Sequence, residues 1–271
     1  MLGAAEIREL AGKLEIRPTK KLGQNFVIDP NTIHRIVTAS QISAEDTVVE
    51  IGPGLGSLTL GLLETADKVV AVEIDPKLAA ELPATVARHL PEKKLELVLA
   101  DALQIKSLPL NPTALVANLP YNISVPVLLH FLASFPSIKK GLVMVQAEVA
   151  HRLAALPGGK EYGSPSLKLA WYGPARLAGN VGRNVFWPAP NVDSALVYFE
   201  TGAERTADRK EVFAVIDAAF AQRRKTLRQA LSGWAGSAIK SEEILVRAGV
   251  DPRTRGEELR IDQFIAIAEA K

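Results

Sequence analysis

The first half of the chain alternates between short apolar runs, several of them β-branched, and longer segments of helical character. The clearest runs are residues 47–51, 68–73, 95–100, 114–117 and 141–145. Each run has the length of a strand and is bounded by polar or turn-forming residues, so each predicts a buried β-strand. Strands that alternate with helices predict an α/β fold with a mostly parallel, doubly wound sheet.

Helical spacing marks both ends of the chain. Apolar residues three and four positions apart between residues 7 and 14 predict a short N-terminal helix. The composition changes at residues 201–208, which we interpret as a linker, and the pattern beyond it is helical. We therefore predict one α/β domain over residues 1–204 and a small α-helical C-terminal domain over residues 205–271.

The composition excludes several classes of protein. The chain has 271 residues, 48% of them hydrophobic, and no cysteine, so a disulfide framework, a thiolate nucleophile and a cysteine zinc site are excluded. Its four histidines are scattered, and we expect no metal site. Charged residues interrupt the N-terminal segment, and no apolar run approaches the length of a membrane span. We expect a soluble, cytoplasmic protein.

A glycine-rich turn follows the first predicted strand. Gly-Pro-Gly-Leu-Gly at residues 52–56 leads directly into a helical segment that begins at Ser57. Glycine lets the backbone approach a ligand closely, and the helix N-terminus offers unpaired N–H groups. Glu73 lies about 20 positions further on, where the ribose of a nucleotide would need an acceptor. These features predict a site for a nucleoside-containing cofactor.

The spacing of the glycines ranks two classes of cofactor. A dinucleotide-binding turn, Gly-x-Gly-x-x-Gly, would need glycine at position 57, where the chain has Ser57. The chain instead has Gly-x-Gly-x-Gly preceded by Glu50, whose carboxylate could hold the ammonium group of an amino-acid tail. This stretch resembles the Rossmann-like class I methyltransferases that use S-adenosylmethionine. A nicotinamide-dependent oxidoreductase remains the alternative.

Polar side chains follow the carboxyl ends of the predicted strands. Glu50, Glu73, Asp101 and Asn118 each lie at such an end. In an open parallel sheet ligands bind beyond these ends, so we expect the four side chains to converge on one crevice. There Glu73 could accept a hydrogen bond from the ribose and Asp101 from the adenine amino group. Taken singly, each residue could equally be a helix cap or a turn former.

The tetrapeptide Asn118-Leu119-Pro120-Tyr121 directly follows the predicted strand at 114–117. It supplies a side-chain amide, a carbonyl restricted by the following proline, and an aromatic ring. These groups could grip a planar amine, although an ordinary strand-ending turn is equally compatible. Phe186 opens an extended Phe-Trp-Pro-Ala-Pro stretch, from which it could stack on a base or, more commonly for phenylalanine, lie in the core.

Basic residues cluster in the predicted C-terminal domain, although the net charge of the whole chain is only +2. Arg223, Arg224, Lys225 and Arg228 lie close together without an intervening acidic residue. Such a cluster suits the phosphate groups of a nucleic acid. A solvated helix face is the alternative.

Six segments resemble, in their order, the motif series of the KsgA (RsmA) ribosomal RNA adenine N6,N6-dimethyltransferase family. Each motif alone is moderately specific, but the ordered set covers most of the chain and is highly specific. The segments are Lys-Leu-Gly-Gln-Asn-Phe at 21–26, the glycine turn and its flanks at 50–59, Asn-Leu-Pro-Tyr-Asn at 118–122, Gln-Ala-Glu-Val-Ala-x-Arg-Leu at 146–153, the stretch at 186–195, and Phe-Ala-Gln-Arg-Arg-Lys-Thr-Leu at 220–227.

The resemblance implies a reaction, its partners and its residues. Two methyl groups pass from S-adenosyl-L-methionine to N6 of each of two adjacent adenines near the 3′ end of small-subunit (16S) ribosomal RNA, in the maturation of the 30S subunit. The cofactor-binding residues that it implies are Gln24, Asn25, Val27, Glu50, Gly52, Gly54, Glu73, Ile74, Asp101, Ala102 and Asn118. Those for the adenine are Asn118, Leu119, Pro120, Tyr121 and Phe186, and those for RNA are Arg223, Arg224, Lys225 and Arg228.

The resemblance also gives the tetrapeptide a chemical role. The lone pair of adenine N6 is delocalised into the ring, so the amine is a poor nucleophile. If the Asn118 side-chain oxygen and the Leu119 carbonyl accept its two hydrogens, the nitrogen can pyramidalise and direct its lone pair at the methyl group. Tyr121 and Phe186 would stack on the base, which must be unpaired or flipped out of a helix.

A few positions depart from the family pattern. Val27 replaces the common leucine, Ala100 the usual glycine, and the sequence around Tyr162 differs. These departures leave the cofactor unchanged and affect only details of substrate contact. Two alternatives remain: a macrolide-resistance large-subunit RNA adenine methyltransferase, a group that usually has isoleucine in place of Leu119, and a mainly non-catalytic ribosome-assembly factor.

Overall fold

The structure is a computed structural model that describes residues 1–16 and 25–271. The described residues form two compact units, the first from residues 1–150 and 176–201, the second from residues 151–175 and 202–271. The second unit thus contains residues 151–175 in addition to the C-terminal segment, which differs from the predicted division at residue 204. The reason is packing, since Tyr162, Leu167 and Trp171 belong to the apolar core of the C-terminal helices.

The first unit contains the strands of the sheet and the helices that accompany it. Its helices are α1 (Ala4–Lys13), α2 (Pro30–Ser40), α3 (Ser57–Thr65), α4 (Pro76–His89) and α5 (Ser124–Ser134), and α6 (Ala147–Leu153) begins in it. The strands are β1 (Phe26–Val27), β2 (Thr47–Ile51), β3 (Lys68–Glu73), β4 (Leu95–Leu99), β5 (Ala114–Asn118), β6 (Lys140–Gln146), β7 (Ala175–Val181), β8 (Phe186–Trp187) and β9 (Ser194–Glu200).

Seven of the described strands form one sheet in the order β4-β3-β2-β5-β6-β9-β7. Strands β4, β3, β2, β5 and β6 are parallel, and β9 is antiparallel to β6. The chain builds the sheet outward from β2 in one direction and then from β5 in the other, so the order reverses between these two strands. The predicted doubly wound, mostly parallel sheet is confirmed, and ligands bind such sheets at this reversal.

The central strands are apolar because both of their faces are buried. Val48 and Val49 of β2, and Leu115 and Val116 of β5, are fully shielded from solvent. Parallel strands covered on both faces are continuous apolar runs rather than alternating ones. This is why the sequence pattern located them.

The second unit is helical, with α7 (Ser164–Ala170), α8 (Arg209–Ala221), α9 (Leu227–Ala230), α10 (Ser232–Ala235), α11 (Ala238–Arg247) and α12 (Ile261–Glu269). Val212, Ile216 and Ala219 of α8 face its core, in agreement with their helical spacing. In the part of the chain that the structure describes, no helix combines the length and apolarity needed to cross a membrane.

Candidate active site

A cavity lies in the first unit at the carboxyl ends of the central strands. Glu50, Glu73, Asp101 and Asn118 all contribute to its lining, so the side chains at four strand ends do converge on one crevice. Gln24 lies outside the described residues. The other residues that we predicted to bind the cofactor also line this cavity: Asn25, Val27, Gly52, Gly54, Ile74 and Ala102.

The glycine turn adopts a backbone that side chains rarely allow. Gly52, Gly54 and Gly56 have φ angles of 67°, 59° and 98°, in the left-handed region that favours glycine. A Cβ atom on Gly54 would also lie 2.9 Å from the ring of Phe26. The backbone N–H of Gly54 donates to Glu73 Oε2 at 3.1 Å. The turn is therefore tied to the acidic residue at the end of β3.

Glu73 is fixed by backbone donors on both of its carboxylate oxygens. Besides the bond from Gly54, Oε1 accepts hydrogen bonds from the N–H groups of Ile74 at 2.8 Å and Asp75 at 2.9 Å. Burial raises the pKa of Glu73 and outweighs these three bonds, which lower it. A carboxylate has about four lone-pair sites, so capacity remains for a ribose hydroxyl donor.

Glu50 is the most deeply buried acidic group of the cavity. Its side chain is 1% exposed, and its Oε2 accepts a hydrogen bond of 2.6 Å from the hydroxyl group of Thr59 on α3. Burial raises the pKa of Glu50 to about 8. The hydrogen bond from Thr59 lowers this pKa, and the repulsion from Glu73 raises it further. Thr59 was not predicted from the sequence, because only the tertiary fold brings α3 back against β2.

Asp101, predicted to bind the adenine amino group, and the cofactor residue Ile74 are more open than Glu50 and Glu73. Asp101 Oδ1 accepts from the N–H of Leu103 at 2.9 Å, so this residue is a turn former as well as part of the lining. Ile74 is 52% exposed and gives the cavity an apolar surface next to Glu73. A polar acceptor and an apolar surface in one cavity suit a planar base.

Two acceptors lie at the end of β5. Asn118 donates from Nδ2 to the carbonyl oxygen of Asn25 at 3.1 Å, and no described group donates to its Oδ1. The N–H of Leu119 donates to the Met144 carbonyl at 3.0 Å, while the Leu119 carbonyl oxygen accepts no hydrogen bond from the described residues. Each acceptor is held in place by a hydrogen bond that an N–H donor of the same residue makes: the Asn118 side-chain amide for Oδ1, and the Leu119 backbone N–H for the Leu119 carbonyl.

The two candidate stacking rings differ in exposure. Tyr121 is partly exposed, and its hydroxyl group lies 2.8 Å from the Ser194 hydroxyl. Phe186 is 3% exposed and belongs to the apolar core, next to Val27 in the β1–β8 register. A base could reach the Phe186 ring only after its covering residues move. Its stacking role stays a prediction, as does that of Tyr121, because neither ring is part of the cavity lining.

Several residues of the lining were not predicted from the sequence. They are Phe26, Ile51, Pro53, Leu55, Ser57, Leu58, Val72, Leu78, Ala100 and Ile123. Ser57 is the first residue of α3 and is 6% exposed, and its hydroxyl group has no hydrogen-bond partner within the described ranges. Its position directly after the third glycine was the signal available in the sequence. Most of the others are apolar and do not differ in sequence from core residues.

The basic cluster lies in the second unit, mostly on the turn after α8 rather than on a helix face. Arg223 is bound to Glu257 Oε2 at 2.8 Å and to the Lys160 carbonyl at 2.6 Å. Arg228 lies on α9 and is bound to Glu242 at 2.6 Å. Arg224 and Lys225 are exposed, and neither contacts a carboxylate of the described residues. These two cations are the ones most available to phosphate groups.

No group of three or more His, Asp or Glu side chains within residues 1–16 and 25–271 is arranged to hold a metal ion.

Comparison with known proteins identifies similar sequences and folds. The sequence profile of a family described as ribosomal RNA adenine dimethylase matches residues 16–271. The chain is 62% identical over 275 residues to ribosomal RNA small subunit methyltransferase A of Paenarthrobacter aurescens (strain TC1), covering 100% of this chain and 94% of the relative.

Two solved structures share the fold. A dimethyladenosine transferase from Plasmodium falciparum has a TM-score of 0.76 and 24% identity, covering 88% of this chain and 94% of that chain. The 23S rRNA methyltransferase ErmE has a TM-score of 0.66 and 27% identity, covering 91% of this chain and 99% of that chain. The class I methyltransferase fold predicted from the glycine turn is confirmed.

Proposed function

Because the chain belongs to the ribosomal RNA adenine dimethylase family, it is an S-adenosylmethionine-dependent adenine methyltransferase, and we propose small-subunit ribosomal RNA as its substrate. The proposed targets are two adjacent adenines near the 3′ end, each dimethylated at N6. The relative that is 62% identical is named for the small subunit, whereas the large-subunit enzyme ErmE is 27% identical. This difference favours the small subunit. The immature 30S subunit, in the cytoplasm, is the proposed form of the substrate.

The observation that carries the mechanism is the pair of acceptors at the end of β5. The bond from Asn118 Nδ2 to the Asn25 carbonyl orients the amide, so that Oδ1 is the group left to bind a ligand. Oδ1 and the Leu119 carbonyl would accept the two hydrogens of adenine N6. These two acceptors would free the nitrogen lone pair from the ring and orient it for methyl transfer, so positioning and polar complementarity would replace a strong base.

The remaining residues of the cavity suit the cofactor. S-adenosylmethionine supplies an electrophilic methyl group. Glu73 would accept from its ribose, Asp101 from its adenine amino group, and Glu50 from the ammonium group of its methionine tail. The turn at residues 52–56 would let the backbone approach the same tail. Glu50, Glu73, Asp101 and residues 52–55 of the turn line one cavity, which supports the assignment.

RNA contact is proposed for the second unit and for the two rings. Tyr121 and Phe186 would stack on the target base once it is unpaired, a contact worth on the order of 1–3 kcal/mol per ring. Arg223, Arg224, Lys225 and Arg228 would bind phosphate groups. In this proposal residues 1–204 bind the cofactor and carry the reaction, and residues 205–271 hold the RNA.

Substitution of Asn118 tests the mechanism. Asn118→Ala should bind S-adenosylmethionine within a few-fold of the unchanged protein, because the other predicted cofactor contacts remain, yet lose about 100-fold or more in methyl transfer, the scale seen when a polar group of an active site is removed. Titration calorimetry and incorporation of labelled methyl groups measure the two quantities. Asn122→Ala, an exposed asparagine four residues later, is the matched control and should retain most of its activity. Unchanged turnover in Asn118→Ala would refute the proposed role.

The substrate is tested by supplying RNA of both subunits. The protein is incubated with labelled S-adenosylmethionine and undermethylated small subunits, with large subunits in parallel, and modified nucleotides are mapped. We expect dimethyladenosine at two adjacent positions of the small-subunit RNA. Label in large-subunit RNA would favour the macrolide-resistance activity, and no label in either would favour an assembly factor.

A further inference from the structure

Thr59 connects the first helix after the glycine turn to the end of the first sheet strand. It is the third residue of α3 and is fully buried. Its hydroxyl group donates to Glu50 Oε2 at 2.6 Å, and Glu50 itself is 1% exposed. A hydroxyl group buried at this depth needs a partner, and here that partner is a carboxyl group of the cavity lining.

The bond to Thr59 leaves one oxygen of Glu50 without a donor. Within the described ranges no group donates to Oε1, although Glu50 lines the cavity. A buried carboxyl group that has one oxygen fixed and the other open to a cavity is suited to a donor carried by a ligand. A cationic donor suits it best, because it also compensates the charge of the carboxylate.

Among the described residues, burial, Thr59 and Glu73 are the influences on Glu50, and the cation of β3, Lys68, lies at the exposed start of that strand. On neighbouring β3, Glu73 is a second carboxylate and repels an ionised Glu50. The facing strand β5 carries no titratable side chain, and on α3 the only titratable side chain is Glu64, at its far end. A cation carried by a ligand would therefore complete the hydrogen-bonding and the charge of Glu50.

We propose that Thr59 is a positioning residue for the cofactor: it holds the Glu50 carboxyl group so that Oε1 receives the ammonium group of the methionine tail of S-adenosylmethionine. The inference rests on the proposed role of Glu50. It deepens that role, because Thr59 then determines how firmly the tail is held, independently of the RNA.

Proton exchange is the second consequence. Burial raises the pKa of Glu50 to about 8, so the group is neutral at pH 6.5 when no ligand is bound. Binding of an ammonium group favours the ionised carboxylate, and the proton is released to the buffer. The hydrogen bond from Thr59 stabilises the same ionised form. Cofactor binding at pH 6.5 should therefore release about one proton.

The test compares two substitutions and two ligands by titration calorimetry. Thr59→Val removes the hydroxyl group at nearly constant volume and should weaken S-adenosylmethionine binding roughly 10-fold or more, the scale of a hydrogen bond to a charged group. Thr59→Ser should restore most of the affinity. Binding of 5′-methylthioadenosine, which lacks the amino-acid tail, should change little in either variant. Equal losses for the two ligands would show a general defect of folding and overturn the proposal, as would unchanged binding in Thr59→Val.

The proton count is measured at pH 6.5 in two buffers of different ionisation enthalpy. The unchanged protein should release about one proton on binding S-adenosylmethionine, and Glu50→Gln none. Equal proton release by the unchanged protein and Glu50→Gln would overturn the inference, because the proton would then come from a group other than Glu50. These binding experiments contain no RNA, so failure of the proposed RNA substrate would appear only in the methylation assay and would leave them interpretable.

Discussion

At the scale of single residues, Tyr121 is joined to the sheet by one side-chain hydrogen bond. Its hydroxyl group lies 2.8 Å from that of Ser194, the first residue of β9, which is fully buried. Because Tyr121 follows the acceptors Asn118 and Leu119 by only two or three residues, this bond restrains the ring beside the group that would hold adenine. Ser194 is therefore a candidate positioning residue for Tyr121.

Ser194→Ala and Tyr121→Phe should have similar and modest effects. Each removes the same hydrogen bond and should lower kcat/KM for RNA by roughly 2–10-fold, since such a bond contributes about 0.5–1.5 kcal/mol. The double variant should be no worse than either single one, because both act through one contact. Steady-state kinetics of methyl transfer to RNA measure kcat/KM for the single and double variants.

Tyr121→Ala, which removes the ring itself, is the comparison variant and should lose more activity than Tyr121→Phe. If the losses from Ser194→Ala and Tyr121→Phe simply add, the hydroxyl groups act independently and the positioning role fails.

At the scale of elements, the backbone conformation of the turn between β2 and α3 determines the shape of the cofactor cavity. Gly54 has a φ angle of 59° and lies against Phe26, and its N–H holds Glu73. Any side chain at this position would strain the backbone and push on a residue of the same cavity. The turn thus fixes the cavity wall and the ribose acceptor together.

Gly54→Ala should lose both stability and cofactor affinity. The left-handed backbone costs alanine roughly 1–2 kcal/mol, and the displacement of Phe26 or the turn should weaken S-adenosylmethionine binding by about 10-fold or more. Thermal unfolding and calorimetry measure the two effects. Gly249→Ala is the matched control, because Gly249 has a φ of 71° with open space around it and should lose stability alone. Equal affinity in Gly54→Ala would show that the turn tolerates a side chain.

The elements also show where sequence patterns are informative. Strands β2 and β3 have the predicted bounds because their residues are buried on both faces. Strand β7 was not predicted, since Arg176, Gly179 and Asn180 give it neither an apolar run nor an alternation. Helix α11 begins at Ala238, because Ser237 caps it by accepting from the Lys240 N–H at 3.1 Å. Edge strands and helix starts depend on contacts that an apolar pattern does not record.

At the scale of the whole molecule, the basic cluster belongs to the second unit and the cofactor cavity to the first. Ion pairs occupy Arg223 and Arg228, whereas Arg224 and Lys225 have no described carboxylate partner. A cation already paired with a carboxylate gains less from a phosphate. RNA affinity should therefore depend most on Arg224 and Lys225.

Arg224→Ala combined with Lys225→Ala should weaken RNA binding in a salt-dependent way. For each cation that no longer binds a phosphate group, the slope of log affinity against log salt concentration should fall by about one, while S-adenosylmethionine binding stays unchanged. Filter binding at several salt concentrations measures the slope. Arg253→Ala, an exposed arginine of the same unit that pairs with Asp251, is the control and should leave the slope unchanged. If the double substitution leaves RNA affinity unchanged, the basic cluster does not bind RNA and is only a solvated surface.

The fold class and the strand-end residues could be predicted from the chain alone, because they follow from local features, whereas the cofactor also needed the resemblance of the ordered motifs to a known family. Buried strands are apolar runs, and the glycine spacing at residues 52–56 can be read directly from the sequence. Parallel strands place their carboxyl ends at one edge of the sheet. Features that depend on distant residues meeting came only from the folded structure. In the folded structure Thr59 is hydrogen-bonded to Glu50, Ser194 to Tyr121 and Arg223 to Glu257. Residues 151–175 belong to the same compact unit as the C-terminal helices. Such contacts join residues up to 73 positions apart, and folding alone brings them within hydrogen-bonding distance.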